Sequence, residues 1–299
     1  MLVLTIPWLL LLLLVITVVF LLKKRWKATL LLLLVTFAIN WWTDCFCYGF
    51  KNTFSGDLKV LTFNINGEGE YDEEKTSNIV SLIFQEDPDI VFLTENFIPI
   101  RDTLLARLHN MYPYDTRYMA HNIILGKYPL YNEVFYEKPN KGSGYIVNCC
   151  VKIGNKEISL FGCHLSSNNY SPELDYLTPE ELNNVDEVRS YLSHTKKASV
   201  LRELESDSIV SSISERDCAI VMGDMNDICG SACMRIFKNA GLKDAWSEGG
   251  FGYGATIHHP LPYRIDHILY GNGLKLKGIK KIDTRDISDH DALVAVFDL

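Results

Sequence analysis

A chain of 299 residues, 47% apolar and 22% charged, is long enough for one large domain or two small ones, and excludes a disordered chain or a small disulfide scaffold. Its charge is unevenly placed: the first 50 residues carry only Lys23, Lys24, Arg25, Lys27 and Asp44, which leaves 25 basic and 36 acidic groups, net −11, in the remainder. Such a surface repels a polyanion unless its basic groups cluster, so bulk duplex DNA is not favoured on charge alone.

Residues 2–22 are a run of 21 uncharged residues interrupted only by Thr5, Pro7 and Thr17. At about 1.5 Å per residue the run spans a hydrocarbon core of roughly 30 Å, and it reads as a transmembrane helix. A second uncharged run, residues 28–43, is 16 residues long and is followed by aromatic side chains. Trp41, Trp42, Phe46 and Tyr48 suit an interfacial belt, giving a second, short span over about residues 28–48. The KKRWK segment between the runs stays cytoplasmic by the positive-inside bias, which puts the amino terminus and the large domain on the other side. The expectation is therefore a multi-pass protein of the cell membrane with a periplasmic or extracellular domain, the bilayer as its partner, and no protein partner. A cleaved signal peptide lacks support, because no basic stretch precedes the first run and no small-x-small site follows it. A buried core hairpin fails because the first run has no polar face.

Residues 51–56 read as a polar linker and residues 57–299 as one α/β domain. Strands are predicted over 58–65, 89–96, 122–127, 144–153, 157–165, 218–224, 264–270 and 293–299, and helices over 73–85 and 100–110, the first stopped by Pro88. Spacing around Gly154 and Asn155 implies a hairpin. Of the eight cysteines, Cys149 and Cys150 face opposite sides of a strand; Cys229 and Cys233 are close enough for a local disulfide, though buried thiols are the preferred reading, and no spacing suggests zinc.

Strand after strand ends in groups able to bind a metal or a phosphate: Asn64 with Asn66, Glu95, His164, Asp224 with Asn226, Asp266, and Asp289 with His290. Carboxylates do not end buried apolar strands without cause, since two like charges about 4 Å apart repel by roughly 4 kcal/mol even at an effective dielectric of 20. If these ends converge, a cation is needed.

In sequence order, LTFNING, FLTEN, GCHLSS, GDMND, YRIDHI and SDH resemble the motifs of the endonuclease/exonuclease/phosphatase superfamily, the metal-dependent phosphodiesterases that include deoxyribonuclease I and neutral sphingomyelinases. The resemblance covers residues 57–299. It implies an α/β (α+β) four-layer sandwich, two packed mixed β-sheets flanked by helices, with the site at one end. It implies Glu95 as principal metal ligand with Asn64 beside it and Asp289 ligating or supporting, and a hard cation, Mg²⁺ or Mn²⁺. His290 is implied as general base, paired with Asp266, while Asp224 and Asn226 orient the nucleophile and hold the phosphate; Asp224 is the rival base. His164 is implied as a phosphate contact that supports the leaving group, and Arg264 as a brace of the loop through the carboxylates. The implied substrate is a phosphodiester, with nucleic acid and phospholipid head group both open.

Departures from the family pattern are Asn66, where an aspartate stands in abasic-site nucleases, leaving a second metal open, and Gly126, where serine is frequent. Residues 166–194 read as an inserted loop and helix whose charges form a solvated face, and His258 and His259 as loop residues. The alternative function is an inactive binding or scaffold module that keeps the fold.

Overall fold

The computed structural model describes residues 5–67, 71–116, 121–137, 145–168, 184–213, 218–258 and 261–299. Most of the expected insertion and His259 lie outside these residues.

Two apolar helices open the described chain, α1 (Ile6–Leu22) and α2 (Trp26–Thr43), which pack against each other and are joined by three residues. Among the described residues α2 alone is long and apolar enough to cross a membrane, and α1 is a shorter apolar helix. Beyond α2 the chain goes straight into the folded unit: β1 (Cys47–Tyr48) pairs with β11 (Phe251–Gly252). The stretch expected as a linker runs along the domain, with Lys51 N–H on the Gly249 carbonyl at 3.0 Å and Asn52 bridged to Gly278.

The rest is a sandwich of two six-stranded sheets. One has the order β10 (Lys243–Asp244), β12 (Asp266–Tyr270), β9 (Cys218–Asp224), β8 (Lys156–His164), β7 (Tyr145–Ile153), β6 (Leu130–Glu137). The other runs β13 (Lys275–Ile282), β14 (Ala292–Asp298), β2 (Leu58–Asn64), β3 (Ile90–Thr94), β5 (Ile123–Gly126), β4 (Tyr114–Asp115). β2 with β3 and β8 with β9 are parallel and the other neighbours antiparallel, so both sheets are mixed. The predicted hairpin is β7–β8, turned at Gly154 with φ +59°.

The inner faces of the two sheets make one core, Val60, Phe92 and Leu293 from one side and Val147, Leu160 and Met222 from the other. The outer face of the second sheet is covered by α3 (Glu73–Glu86) and α4 (Ile98–Leu108), and that of the first by α5 (Val185–Ser211) and α6 (Ala232–Asn239). This is the four-layer arrangement expected. α3 begins where the Asp72 side chain accepts from Lys75 N–H at 3.0 Å, and it buries Ile79, Val80, Leu82 and Ile83. It ends at Asp87 in the left-handed region, just before Pro88. All eight cysteines are free thiols, Cys229 and Cys233 included, and Cys149 is buried while its neighbour Cys150 is partly exposed, as alternation demands.

The sheets close up on one ring. Phe92 inserts where Gly162 and Gly223 lack side chains: a Cβ on Gly162 would sit 2.3 Å from the ring, and one on Gly223 1.9 Å from the Cys163 carbonyl oxygen. Gly223 also has φ +135°, which L side chains rarely adopt. Because Gly223 directly precedes Asp224, the packing that seats Phe92 also sets the strand that carries a site residue. Gly223→Ala should cost roughly 2–4 kcal/mol through clash and backbone strain. Denaturant unfolding of the full chain in detergent measures this, and a loss below about 0.5 kcal/mol would contradict the packing described.

Candidate active site

Strand direction explains why the polar residues meet. Parallel β2 and β3 deliver Asn64 and Glu95 to one end, and antiparallel β14 starts from that end just after His290. In the other sheet parallel β8 and β9 set His164 opposite Asp224, and antiparallel β12 begins with Asp266 opposite Asp224 on its other side.

Six of the expected residues form one cluster. Asp266 Oδ2 lies 2.8 Å from His290 Nδ1, and His290 Nε2 lies 3.8 Å from Asp224 Oδ2. Asn64 Nδ2 donates to Glu95 Oε1 at 2.9 Å and to Asp224 Oδ2 at 3.2 Å. His164 Nε2 stands 3.6 Å from Glu95 Oε1 and 3.8 Å from Asp224 Oδ2. Two residues stand at the rim. Asn226 turns its amide onto the Leu165 carbonyl at 2.9 Å while its own N–H donates to Asp224 Oδ1 at 2.8 Å. Asp289 is exposed and accepts from Asn66 Nδ2 at 3.0 Å.

Groups with no assigned role in the sequence reading hold the cluster in place. Ser288 Oγ donates to the Asn64 carbonyl at 2.8 Å and accepts from His290 N–H at 3.2 Å, which ties the His290 loop to β2. Thr256 Oγ1 accepts from Asp266 N–H at 3.1 Å. Buried Glu205 of α5 accepts from Ser166 N–H and Oγ at 2.8 and 2.6 Å, and Arg202 pairs with Asp227 at 3.0 Å, so α5 pins the chain on both sides of the His164 and Asp224 strand ends. Ser288 sits inside the SDH string, a signal already in the sequence; Thr256, Arg202 and Glu205 carry none.

The centre holds more negative than positive charge. Burial and the facing Asp266 push Asp224 up to about 7, although His290 pulls it down. Burial opposes a charge on His290, yet Asp266, Asp224 and Asp289 overcome it and raise the imidazole to about 10. The donor atoms of Glu95, His164 and Asp224 lie within 4.8 Å of one another, as do those of Asp224, Asp266 and His290. Buried carboxylates this crowded, with oxygen donors dominant, fit a hard divalent cation. Asn64 Oδ1 accepts from Asn66 N–H at 3.0 Å and keeps a second lone pair.

Arg264 does not brace these carboxylates. It is fully buried and forks onto Asp244 at 3.0 and 2.9 Å, with its other nitrogen on Cys229 Sγ and the Asp44 carbonyl. His267 meets the same Asp244 at 2.6 Å. Cys229, Asp244 and His267 are close enough to hold a metal, but the guanidinium already sits on two of them and would repel one. His258 is paired at 2.7 Å with buried Asp291, the residue after His290.

The model of the Endonuclease/Exonuclease/phosphatase family matches residues 61–290, and the chain belongs to that family. The family comprises divalent-metal-dependent hydrolases of phosphodiester bonds. Among solved structures the chain is similar to humanized D. rerio TDP2 carrying 14 mutations, at 17% identity and TM-score 0.60, over 81% of this chain and 99% of that one. It is similar to an endonuclease/exonuclease/phosphatase family protein from Leptotrichia buccalis, at 17% identity and TM-score 0.57, over 81% and 100%. Sphingomyelinase C from Streptomyces griseocarneus matches at 16% identity and TM-score 0.55, over 81% and 99%. These likenesses show the fold. No curated protein matches the chain.

Because the folded-state value of His290 lies above its ordinary 6.5, the charged ring stabilises the metal-free fold fully below pH about 6.5, and this contribution is lost as pH rises through about 10. Histidine-selective NMR of the EDTA-treated chain should give His290 a midpoint near 10, brought down toward 6.5 by Asp266→Asn. A wild-type midpoint near 6.5 would show that Asp266 and His290 are not paired.

Proposed function

We propose that the chain is a membrane-anchored phosphodiesterase that cleaves its substrate by in-line attack of water, with no covalent intermediate. The observation that carries this reading is the 2.8 Å contact between Asp266 and His290 Nδ1 beside buried Asp224. With Nδ1 engaged by Asp266, the neutral ring keeps Nε2 as the atom that accepts a proton from water. Asp224, 3.8 Å from that nitrogen, is the rival acceptor and the group that aligns the water.

Mg²⁺ or Mn²⁺, held by Glu95 and Asp224 with His164 alongside, would neutralise the non-bridging oxygens as charge grows on the phosphate and would weaken the carboxylates' hold on the His290 proton. Asn64 positions Glu95 and Asp224 by donating to both. Asn226 and His164 serve as phosphate contacts, and Asp289, through Asn66, as an outer support. The net charge of −11 beyond residue 50 favours a phospholipid head group or small phosphoester over nucleic acid.

α2 serves as a membrane span, with α1 as its partner in a hairpin. The basic turn then lies in the cytoplasm and the catalytic unit outside it.

With Mg²⁺, the reconstituted full chain should hydrolyse bis(p-nitrophenyl) phosphate, and EDTA should abolish this. His290→Ala should lower turnover by roughly two to four powers of ten, whereas Cys229→Ser, outside the cluster, should stay within about twofold. Near-normal turnover in His290→Ala would remove the base role, and the absence of any EDTA-sensitive hydrolysis would favour a scaffold. Plasmid DNA and a sphingomyelin-type lipid, assayed beside the bis-ester, separate the substrate classes: cleavage of DNA alone would dispose of the lipid preference.

A further inference from the structure

The end of α2 and the strand pair that follows it present a cluster of uncovered aromatic rings. Trp41, Phe50 and Phe251 are 73%, 75% and 63% exposed, and Trp42 and Tyr48 are comparably open. Tyr48 and Phe251 stand opposite each other in the β1–β11 ribbon, and the Phe50 ring stacks on Phe251 with centroids 5.1 Å apart. Exposed aromatic rings in this number, at the end of one apolar helix and on the strand pair just after it, mark a contact surface rather than ordinary solvent-facing structure.

The patch is a braced platform. Gly49 N–H donates to the Gly250 carbonyl at 2.8 Å and Gly250 N–H to the Trp246 carbonyl at 2.7 Å. The Trp246 ring fills the space over Gly250 and Gly254, where a Cβ would lie 2.4 and 2.2 Å from it. Cys45 and Cys47 are buried beneath, near Arg264, so the rings are held outward by a fixed underside.

Its position identifies the occupant. Only residues 44–47 separate the last residue of α2 from Tyr48, so the ribbon lies within roughly 17 Å of the helix end. Trp, Tyr and Phe gathered just beyond an apolar helix are the composition of a membrane–water interface. The Arg235 guanidinium, 5.4 Å from the Trp42 ring centre, adds a positive group at the same level.

We propose that the catalytic unit makes its own contact with the bilayer that α2 crosses, through Trp41, Trp42, Tyr48, Phe50 and Phe251, and that this second contact fixes the pose of the active site over the membrane. The inference rests on the reading of α2 as a span and is independent of catalysis. The active site is tied to the same end of the helices. Trp8, in the first turn of α1, donates to the Tyr263 hydroxyl at 3.4 Å; Tyr263 is bridged to Ile257, and Ile257 to His290. A rigid body held at the helix ends and at the aromatic ribbon has little freedom to tilt, and His290 keeps a constant relation to the surface.

The test uses the full chain in nanodiscs of phosphatidylcholine with phosphatidylglycerol, carrying a photoreactive benzoylphenylalanine in place of Phe251, Tyr48 or, as reference, Leu204 on the exposed face of α5. On illumination, peptides containing position 251 or 48 should gain the mass of a phospholipid at least tenfold more often than the peptide containing position 204. Equal labelling at all three positions, or attachment of position 251 to a second copy of the chain, would overturn the proposal. A chain recovered outside the discs would overturn the span and the patch together. Failure to hydrolyse the bis-ester, with lipid adducts present, would count against the phosphodiesterase reading alone.

Discussion

Asp224 and Asp266 face each other on neighbouring antiparallel strands, both about 2% exposed, with one imidazole between them and Glu95 and His164 close by. Two buried carboxylates at this spacing repel strongly, and the fold tolerates them because Asp266 pairs with His290, Asn64 donates to Glu95 and Asp224 at once, and the Asn226 N–H donates to Asp224. The arrangement is stable and still short of positive charge. A site with that deficit suits a divalent cation, and the neighbouring architecture serves to keep the deficit in place. Phe92 locks the sheets together one residue from Asp224, Ser288 fastens the His290 loop to β2, and Thr256 caps the start of β12.

The same strand start connects the site to the end of α2. Two residues before Asp266, the buried guanidinium of Arg264 binds Asp244 with one nitrogen and reaches the Asp44 carbonyl, at the C-terminal cap of α2, with the other. Lys238 of α6 closes on the Asp44 side chain at 2.5 Å. The end of α2 and the start of β12 are therefore parts of one hydrogen-bonded structure, which is why residues 44–53 run along the folded unit and do not hang between two bodies. Polar composition suggested a linker at 51–56; the backbone bonds of that segment are invisible in side-chain character because they involve only main-chain N–H and carbonyl groups.

Central strands were legible because burial on both faces makes them short, unbroken apolar runs: 58–65, 89–96 and 218–224 fall within two residues of β2, β3 and β9. Edge strands were not. β6 and β13 lie at the sheet margins, where LYNEVFYE and KLKGIKKI keep polar or lysine side chains toward water. α5 escaped for a different reason. Its buried face includes Arg202 and Glu205, satisfied by Asp227 and Ser166, and Thr195 and Ser206, which donate to carbonyls one turn back, so no apolar period announces a 27-residue helix. At the site, the ends of strands betrayed Glu95, His164, Asp224, Asp266 and His290, since a carboxylate or imidazole after an apolar run is conspicuous. The partner of Arg264 was not legible, because Asp244 lies on a two-residue strand and nothing local links the two.

The proposed chemistry turns on a divalent cation held where Glu95, His164 and Asp224 converge. Manganese binding to the full chain, followed by electron paramagnetic resonance, tests it most directly. Saturable binding that is lost in Glu95→Gln and unchanged in Cys229→Ser is the expected result; binding that survives Glu95→Gln, or that disappears instead with Cys229→Ser, would refute a cation at this place.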